Sequence, residues 1–421
     1  MNFAASYLQR YVYRDKGFIA NDPDPDTFII ITIPAYREEK LLYTLESLLK
    51  CELPPLITEI IILINYPDLE LTDSFYQNQY YLIRNWAEQN SSTCLLFYPV
   101  IMALPAAEAG VGLARKILMD EAVFRFSKIN RPQGIIVGLD ADCLCEKNYL
   151  QELYTFFQQR PHLNTCSIYF EHPLEGEEYS RELYEAIAIY ELYLRYHVEG
   201  LRFAGFPFAF HTIGSAFAVR AAAYVKQGGM NRRKAGEDFY FLNKMMLLGG
   251  YGELNTTVVY PAPRLSDRVP FGTGAAIHKI AAGSQEYLYT WNPQVFAILK
   301  DFITVLPDLY ARDAQISFHP ILTNFLEKNQ WTSALNQART NAGSEHTFIK
   351  RIWHWFDGLK ALQFIRFAHQ QGLSRVHLSS ASLELLRYNG FHAANPDIKS
   401  ILYHYRSKQR KEEHTLSWAK N

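Results

Sequence analysis

Short apolar runs alternate with amphipathic segments over the first 170 residues of the chain. Runs at 28–33, 59–64, 94–98, 135–139 and 164–170 have the length of single strands. Continuous apolar runs of this length are typical of strands buried on both faces of a sheet. The segments between them place leucine, isoleucine and phenylalanine at helical spacing. The pattern predicts an α/β fold with a mostly parallel central sheet covered by helices on both faces.

Turn sequences follow three of the predicted strands at their carboxyl ends. They read PAYREE from Pro34, NYPD from Asn65 and DAD from Asp140. Parallel α/β sheets bind their ligands at this edge, beyond the carboxyl ends of the strands. The sequence therefore predicts a nucleotide-type site there.

Asp140 and Asp142 are the main candidates for chemistry. Residues i and i+2 of an extended chain point the same way, so the two carboxylates can converge on one point. Burying two carboxylates beside a strand is costly unless a cation neutralises them. A hard divalent ion that holds phosphate oxygens suits this role. The alternative, from these residues alone, is that Asp140 caps the next helix and Asp142 is solvated.

Later segments add candidates of a different kind. Residues 205–220 are rich in aromatic and small side chains, as expected of a groove wall that a substrate approaches. Glu237 and Asp238 open a predicted helix, and stabilisation of the helix dipole is the simplest explanation of that pair taken alone. A loop is predicted over residues 264–278, and its two arginines, two glycines and histidine (His278) suit phosphate contacts or a closing lid.

Helical spacing without strands continues from about residue 290. The predicted organisation is therefore a helical lead-in at 1–27, an α/β domain at 28–290 and a helical region at 291–421. The polar end of this region is most simply a solvated helix, and the alternative is contact with a membrane surface.

The composition excludes several classes of function. The 421 residues are 48% hydrophobic, enough for a large core, and a formal net charge of −1 argues against a nucleic-acid binder. The sequence has no signal-peptide architecture and no apolar run near the ~20 residues that a membrane span needs. Five cysteines without a CxxC pair favour buried thiols and a cytoplasmic protein. Cys143 and Cys145 lack the spacing typical of a zinc site.

Four of these motifs, in this order, resemble the inverting family 2 glycosyltransferases with the GT-A fold. The resemblance covers about residues 28–280. The matching pieces are PAYREE (the family's P-x-Y/F-N-E turn), GLARK from Gly112 (its G-x-A-R-N segment), Asp140-Ala-Asp142 (its metal-binding DxD) and Gly236-Glu237-Asp238 (its E-D element). The chain departs from the family where Arg37 and Lys116 replace asparagines and where Asn65 is nearest to the aspartate that reads the base.

The resemblance implies an enzyme that transfers a sugar from a nucleotide-diphosphate donor, of UDP or GDP type, to an acceptor hydroxyl with inversion. Asp238 would be the catalytic base, and Glu237 would orient the acceptor together with His211. Mn²⁺ or Mg²⁺ would be held by Asp140 and Asp142, with His278 as a third ligand unless it is a packed or solvent-facing histidine. The expected nucleotide contacts are Pro34, Tyr36, Glu38, Asn65, Arg115, Asp140 and Arg268.

Three alternatives stay open at this level. A retaining GT-A transferase would share the DxD motif without using Asp238 as a base. A sugar-nucleotide nucleotidyltransferase would carry a glycine-rich turn with Arg and Lys after the first strand, and PAYREE argues against it. A binding protein could keep the fold without turnover. The absence of a clear Q-x-x-R-W argues against a processive synthase. The acceptor and the oligomeric state are left open.

Overall fold

The protein is described by a computed structural model that covers residues 2–265, 272–311, 316–388, 390 and 396–416. The chain forms two compact units. The first holds the described residues of 1–176, 212–275 and 409–420, and the second those of 177–211 and 276–408.

A sheet of eight strands forms the core of the first unit, in the order β3-β2-β1-β4-β7-β6-β8-β5. The first four of these are mutually parallel, and β6 is parallel to β8. Two short strands run against their neighbours: β7 lies antiparallel between β4 and β6, and β5 pairs antiparallel with β8. The strands are β1 (Thr27–Ala35), β2 (Ile57–Pro67), β3 (Leu95–Leu104), β4 (Ile135–Gly138), β5 (Cys143–Cys145), β6 (Thr165–Phe170), β7 (Phe217–Arg220) and β8 (Tyr251–Pro261).

Helices connect the strands and make up most of the chain after residue 290. In chain order they are α1 (Ala5–Arg10), α2 (Leu41–Leu49), α3 (Ser74–Asn90), α4 (Val111–Lys128), α5 (Tyr149–Gln159), α6 (Arg181–Phe203), α7 (Ala221–Lys226), α8 (Glu237–Leu248), α9 (Thr273–Ala281), α10 (Gln294–Thr304), α11 (Pro320–Lys328), α12 (Trp331–Thr340), α13 (Glu345–Trp355), α14 (Gly358–Gln370), α15 (Leu378–Tyr388) and α16 (Ile398–Lys411). In the second unit a two-residue strand, β9 (Tyr289–Thr290), pairs antiparallel with β10 (Val376–His377). The predicted α/β fold, with a mostly parallel sheet and a helical C-terminal region, is confirmed.

Burial at the centre of the sheet explains why the central strands appear as apolar runs in the sequence. The isoleucines of β1 have no exposed surface, because β2 and β4 flank the strand and α4 packs on it. Burial removes apolar surface from water on both faces at roughly 25 cal/mol per Å². This is why β1 reads as an uninterrupted apolar run. None of the described helices is long and apolar enough to cross a lipid bilayer.

The extended geometry predicted for the two aspartates is wrong. β4 ends at Gly138, and residues 140–142 form a turn in which the Asp140 carbonyl accepts a hydrogen bond from Cys143 N at 3.2 Å. The chain has to change direction here because β4 pairs with β1 and β7, whereas β5 pairs with β8. Asp140 and Asp142 therefore do not share a face through strand periodicity.

Candidate active site

Three acidic side chains converge where the central strands end. Glu38 follows β1, and Asp140 and Asp142 follow β4. Arg264, three residues beyond β8, donates from Nη2 to Glu38 Oε2 at 2.5 Å and from Nε to Asp142 Oδ2 at 2.6 Å. Burial works against its charge, but Asp142 and Glu38 outweigh burial and raise the pKa of Arg264. One guanidinium thus holds carboxylates from two separate turns.

Arg115 joins this acidic edge to the Glu237–Asp238 pair. It lies in the second turn of α4, is almost completely buried, and donates to the carboxylates of both Asp140 and Glu237. Burial opposes its charge, but the nearby carboxylates of Asp140, Glu237 and Asp238 raise its pKa. Side chains from three separate motifs of the sequence therefore meet at one arginine.

Glu237 and Asp238 occupy the first two positions of α8. Gly236, with φ at +70°, precedes them in the left-handed conformation that glycine adopts without strain. Glu237 is buried against Arg115, whereas Asp238 is half-buried and accepts a hydrogen bond from Phe239 N at 2.7 Å. Burial raises the pKa of both carboxyl groups, which disfavours their charged forms, and Arg115 opposes the rise.

A close approach of backbone and side chains fixes this arrangement. A Cβ at Gly214 would overlap the Arg115 guanidinium, and a Cβ at Gly112 would overlap the carbonyl oxygen of Arg233. Glycine at these two places lets α4 contact the loop before β7 and the loop before α8. The G-x-A-R spacing of the sequence is therefore a packing requirement as well as a source of the arginine.

The turn after β1 is held by an ionic and aromatic corner. Arg37 has φ at +49°, in the left-handed region that asparagine tolerates better than longer side chains. Its guanidinium pairs with Glu70 at 3.2 Å and Asp73 at 2.5 Å. Tyr36 donates to Glu70 at 3.1 Å and stacks on Tyr76, with 6.2 Å between ring centroids. These contacts hold Arg37 in a strained backbone conformation.

Two further predicted nucleotide contacts lie in the strands themselves. Pro34 is in β1, paired in register with Leu63 of β2. Asn65 is near the end of β2 and is 5% exposed, and its Oδ1 has no hydrogen-bond partner among the described residues. A buried amide oxygen without a partner costs about 1–3 kcal/mol, and a ligand N–H would remove that cost.

The site so described belongs to the first unit alone. His211 and His278 fall in the second unit. His278 lies in α9 and is exposed, so the expectation that it occupies a loop is wrong. Arg268 lies outside the described residues. No group of three or more His, Cys, Asp or Glu side chains is poised to share a metal within the described ranges.

The donor set at Asp140 and Asp142 nevertheless fits a hard divalent ion. Mg²⁺ in nucleotide enzymes is commonly held by one or two carboxylates, with phosphate oxygens and water completing its shell. The side chains of Asp140 and Asp142 are 35% and 20% exposed, so a ligand can reach them. Asp142 Oδ1 is 3.7 Å from the weakly donating Cys143 thiol, which leaves it available to a cation. The local carboxylates outnumber the two guanidiniums.

Arg264 is the residue that sequence reasoning passed over. It opens the segment 264–278 that was singled out for phosphate contacts, but Arg268 was chosen from it. Arg264 lies three residues beyond β8 and contacts the turns after β1 and β4. Closeness to the end of a strand is the signal that could have pointed to it, but β8 itself was not predicted.

Comparison with known proteins gives structural neighbours only. No protein-family model matches the chain, and neither does any curated protein. A solved structure of S. aureus TarS 1-349 in complex with UDP-GlcNAc is 12% identical, at a TM-score of 0.40 over 87% of this chain and 93% of that one. Mannosyltransferase PcManGT from Pyrobaculum calidifontis, in complex with GDP-Man and Mn2+, is 15% identical, at a TM-score of 0.38 over 97% and 94%. Structural similarity as low as this does not assign a role to any residue of the chain.

Proposed function

We propose that the protein is a metal-dependent GT-A glycosyltransferase. It would move a sugar from a nucleoside-diphosphate donor to an acceptor hydroxyl with inversion. The observation that carries the proposal is the meeting of Glu38, Asp140 and Asp142 with the Glu237–Asp238 pair, through Arg264 and Arg115. An excess of carboxylates at the carboxyl edge of a parallel sheet suits a cation that carries a diphosphate.

Asp238 would act as the general base. Its half-buried carboxylate is not engaged by Arg115 through an ion pair, in contrast to Glu237. Its raised pKa makes it a stronger base than an ordinary aspartate, which suits removal of a proton from an acceptor hydroxyl. Glu237, fixed by Arg115, would orient the acceptor, and His211 stays a proposed acceptor contact.

Asp140 and Asp142 would hold Mn²⁺ or Mg²⁺, with His278 kept as a proposed third ligand. The ion, when bound, neutralises charge that develops on the diphosphate as the bond to the sugar breaks. Asn65 would accept an N–H of the base through its unpartnered Oδ1. Pro34, Tyr36 and the turn that they begin would border the nucleoside.

The direct test is a donor screen with the purified protein. UDP-, GDP- and dTDP-sugars, UDP-GlcNAc and GDP-Man first, are incubated with Mn²⁺, and release of nucleoside diphosphate is measured. We expect slow release with one donor class and none after EDTA. Release of inorganic pyrophosphate instead would indicate nucleotidyl transfer, and no release with any donor would contradict the proposal. The anomeric configuration of the product by NMR separates inversion from retention.

A further inference from the structure

Arg264 forms ion pairs with two carboxylates of the proposed metal and nucleotide site. Its Nε contacts Asp142 Oδ2 at 2.6 Å, and its Nη2 contacts Glu38 Oε2 at 2.5 Å. Glu38 is almost fully buried, and the Arg264 side chain is only 25% exposed. A guanidinium therefore already supplies positive charge to the second aspartate of the motif that would hold the metal.

A divalent ion and Arg264 compete for this carboxylate. An ion on either oxygen of Asp142 would lie close to the guanidinium that is held at Oδ2, and two cations this close repel strongly where water is partly excluded. Removing Arg264 from Asp142 without a new partner would in turn leave a half-buried cation poorly paired. Metal bound alone therefore either meets this repulsion or displaces Arg264 from Asp142 without giving the arginine a new partner.

An entering diphosphate changes this balance. A guanidinium presents five donors in a rigid planar fork that matches phosphate oxygens as well as carboxylates. The ion would then neutralise the carboxylate that Arg264 releases, and the guanidinium would pair with the diphosphate instead. Glu38, on the other side of the fork, limits how far the arginine travels, because it is buried and requires a cationic partner.

We propose that Arg264 is a positioning residue that occupies the place of the metal in the donor-free protein and transfers to the diphosphate when metal and donor bind. This inference rests on the proposed function. Its consequence is positive coupling: metal binds weakly alone and tightly with nucleotide. Coupling is reciprocal, so metal must raise nucleotide affinity by the same factor.

The test compares Mn²⁺ affinity with and without UDP or GDP, measured by the EPR signal of free Mn²⁺ and by calorimetry. Arg264→Gln should raise the affinity for Mn²⁺ alone by about 5- to 150-fold, the usual range of coupling between sites. The same variant should gain less from added nucleotide than the wild type does. Arg264→Lys keeps the positive charge but cannot bridge both carboxylates. Its affinity for Mn²⁺ alone should lie between those of the wild type and Arg264→Gln.

Arg160→Gln is the matched control, because Arg160 is a partly exposed arginine of the same unit paired with Glu413 at 2.8 Å. It should leave Mn²⁺ affinity unchanged, which separates a local effect from the loss of one charge. Thermal unfolding of each variant verifies that it is folded.

Two results would overturn the inference alone: Mn²⁺ affinity of Arg264→Gln no higher than that of the wild type, or nucleotide affinity of the wild type equal with and without Mn²⁺ while turnover still requires the ion. Failure of every variant to bind Mn²⁺ even with UDP or GDP would instead overturn the proposed metal dependence, and this inference with it.

Discussion

Glutamate–arginine pairs lie at both edges of the central sheet, but they are built differently. At the amino edge Arg125 serves one carboxylate: its Nε and Nη2 donate to the two oxygens of Glu59, and the Thr27 hydroxyl donates to Glu59 Oε1 at 2.9 Å. At the carboxyl edge each guanidinium is divided between two carboxylates. Arg115 serves Asp140 and Glu237, and Arg264 serves Glu38 and Asp142.

The difference distinguishes a structural ion pair at the amino edge from the proposed ligand site at the carboxyl edge. Glu59 has no exposed surface, and its acceptors are filled by the protein itself, so nothing is left for a ligand to bind. The carboxyl edge carries more carboxylates than guanidiniums, and the side chains of Asp140, Asp142 and Asp238 are partly exposed. Such an arrangement lowers stability in isolation, and native proteins tolerate it where function requires it. Substitutions at the two edges should therefore have opposite signatures.

The largest effect is expected at the carboxyl edge, for Asp238→Asn. Loss of the general base should lower turnover by about 10²–10⁴-fold. Nucleotide affinity should stay near that of the wild type, because Asp238 would contact the acceptor. The melting temperature should not fall, since burial disfavours the charge of Asp238 and asparagine removes that charge. Turnover assays, calorimetry and thermal unfolding measure turnover, nucleotide affinity and melting temperature, respectively. Wild-type turnover would refute the assignment of the base.

The amino edge should respond in the reverse way to Arg125→Met. The substitution leaves Glu59 buried without a cation, which costs about 3–5 kcal/mol in the free energy of unfolding. Mn²⁺ and nucleotide affinity of the folded fraction should not change. Denaturant unfolding measures the cost, and the double variant Glu59→Leu with Arg125→Met should recover most of it.

A control sets the scale for that loss. Arg84 pairs with Glu88 on the solvent-exposed surface of α3 at 2.9 Å, and Arg84→Met should leave the melting temperature unchanged. If Arg125→Met also left the melting temperature unchanged, the Arg125–Glu59 pair would not be the structural contact that the comparison of the two edges requires.

The pH dependence of turnover sharpens the contrast. The pKa of Asp238 is raised above its ordinary value of 3.8, first because of burial, with Arg115 acting against the rise. A base must be unprotonated, so activity should be present above this raised pKa and fall as the pH drops through it. The acid limb should therefore lie at higher pH than an ordinary aspartate gives.

The raised pKa of Asp238 also determines how the stability of the protein changes with pH. A carboxyl group whose pKa is higher in the folded state costs stability once the pH exceeds its unfolded value. Asp238→Asn should therefore stabilise the protein at neutral pH and lose that advantage in acid. Profiles of kcat/KM and of thermal unfolding against pH, with Mn²⁺ binding followed in parallel, check both. An acid limb at or below 3.8 would contradict the prediction.

The sequence predicted the strands that contain continuous apolar runs and missed β5, β7 and β8. Strand β8 has eleven residues, but polar side chains interrupt its apolar positions. Runs of isoleucine and leucine dominate β1 and β2, so the positions of these strands followed from those runs. β5 has three residues and β7 has four, too few for a period to be counted, and both depend on distant partners. Tertiary pairing, which a single sequence does not display, decides such strands.

The candidate site divides in the same way. Motifs placed Glu38, Arg115, Asp140, Asp142, Glu237 and Asp238 on the list of candidates, and these side chains do lie at one edge of the sheet. Motifs could not assign the ion pairs, because these depend on how turns far apart in the sequence pack. Arg115 was expected on the nucleotide side, and it also bridges two motifs. The role of Arg264 depends on β8, a strand that the pattern did not reveal.

The smallest effect is expected for Arg37→Asn, in the turn after β1. Asparagine tolerates the φ of +49° that arginine adopts there, so the turn should persist although the contacts with Glu70 and Asp73 are lost. The free energy of unfolding, measured with denaturant, should change by about 0.5 kcal/mol or less, as is usual for surface substitutions. Arg37→Ala loses the same contacts without that tolerance and should be the worse of the two. If alanine and asparagine behaved alike, the ion pairs rather than the backbone conformation would hold Glu38 beside Arg264.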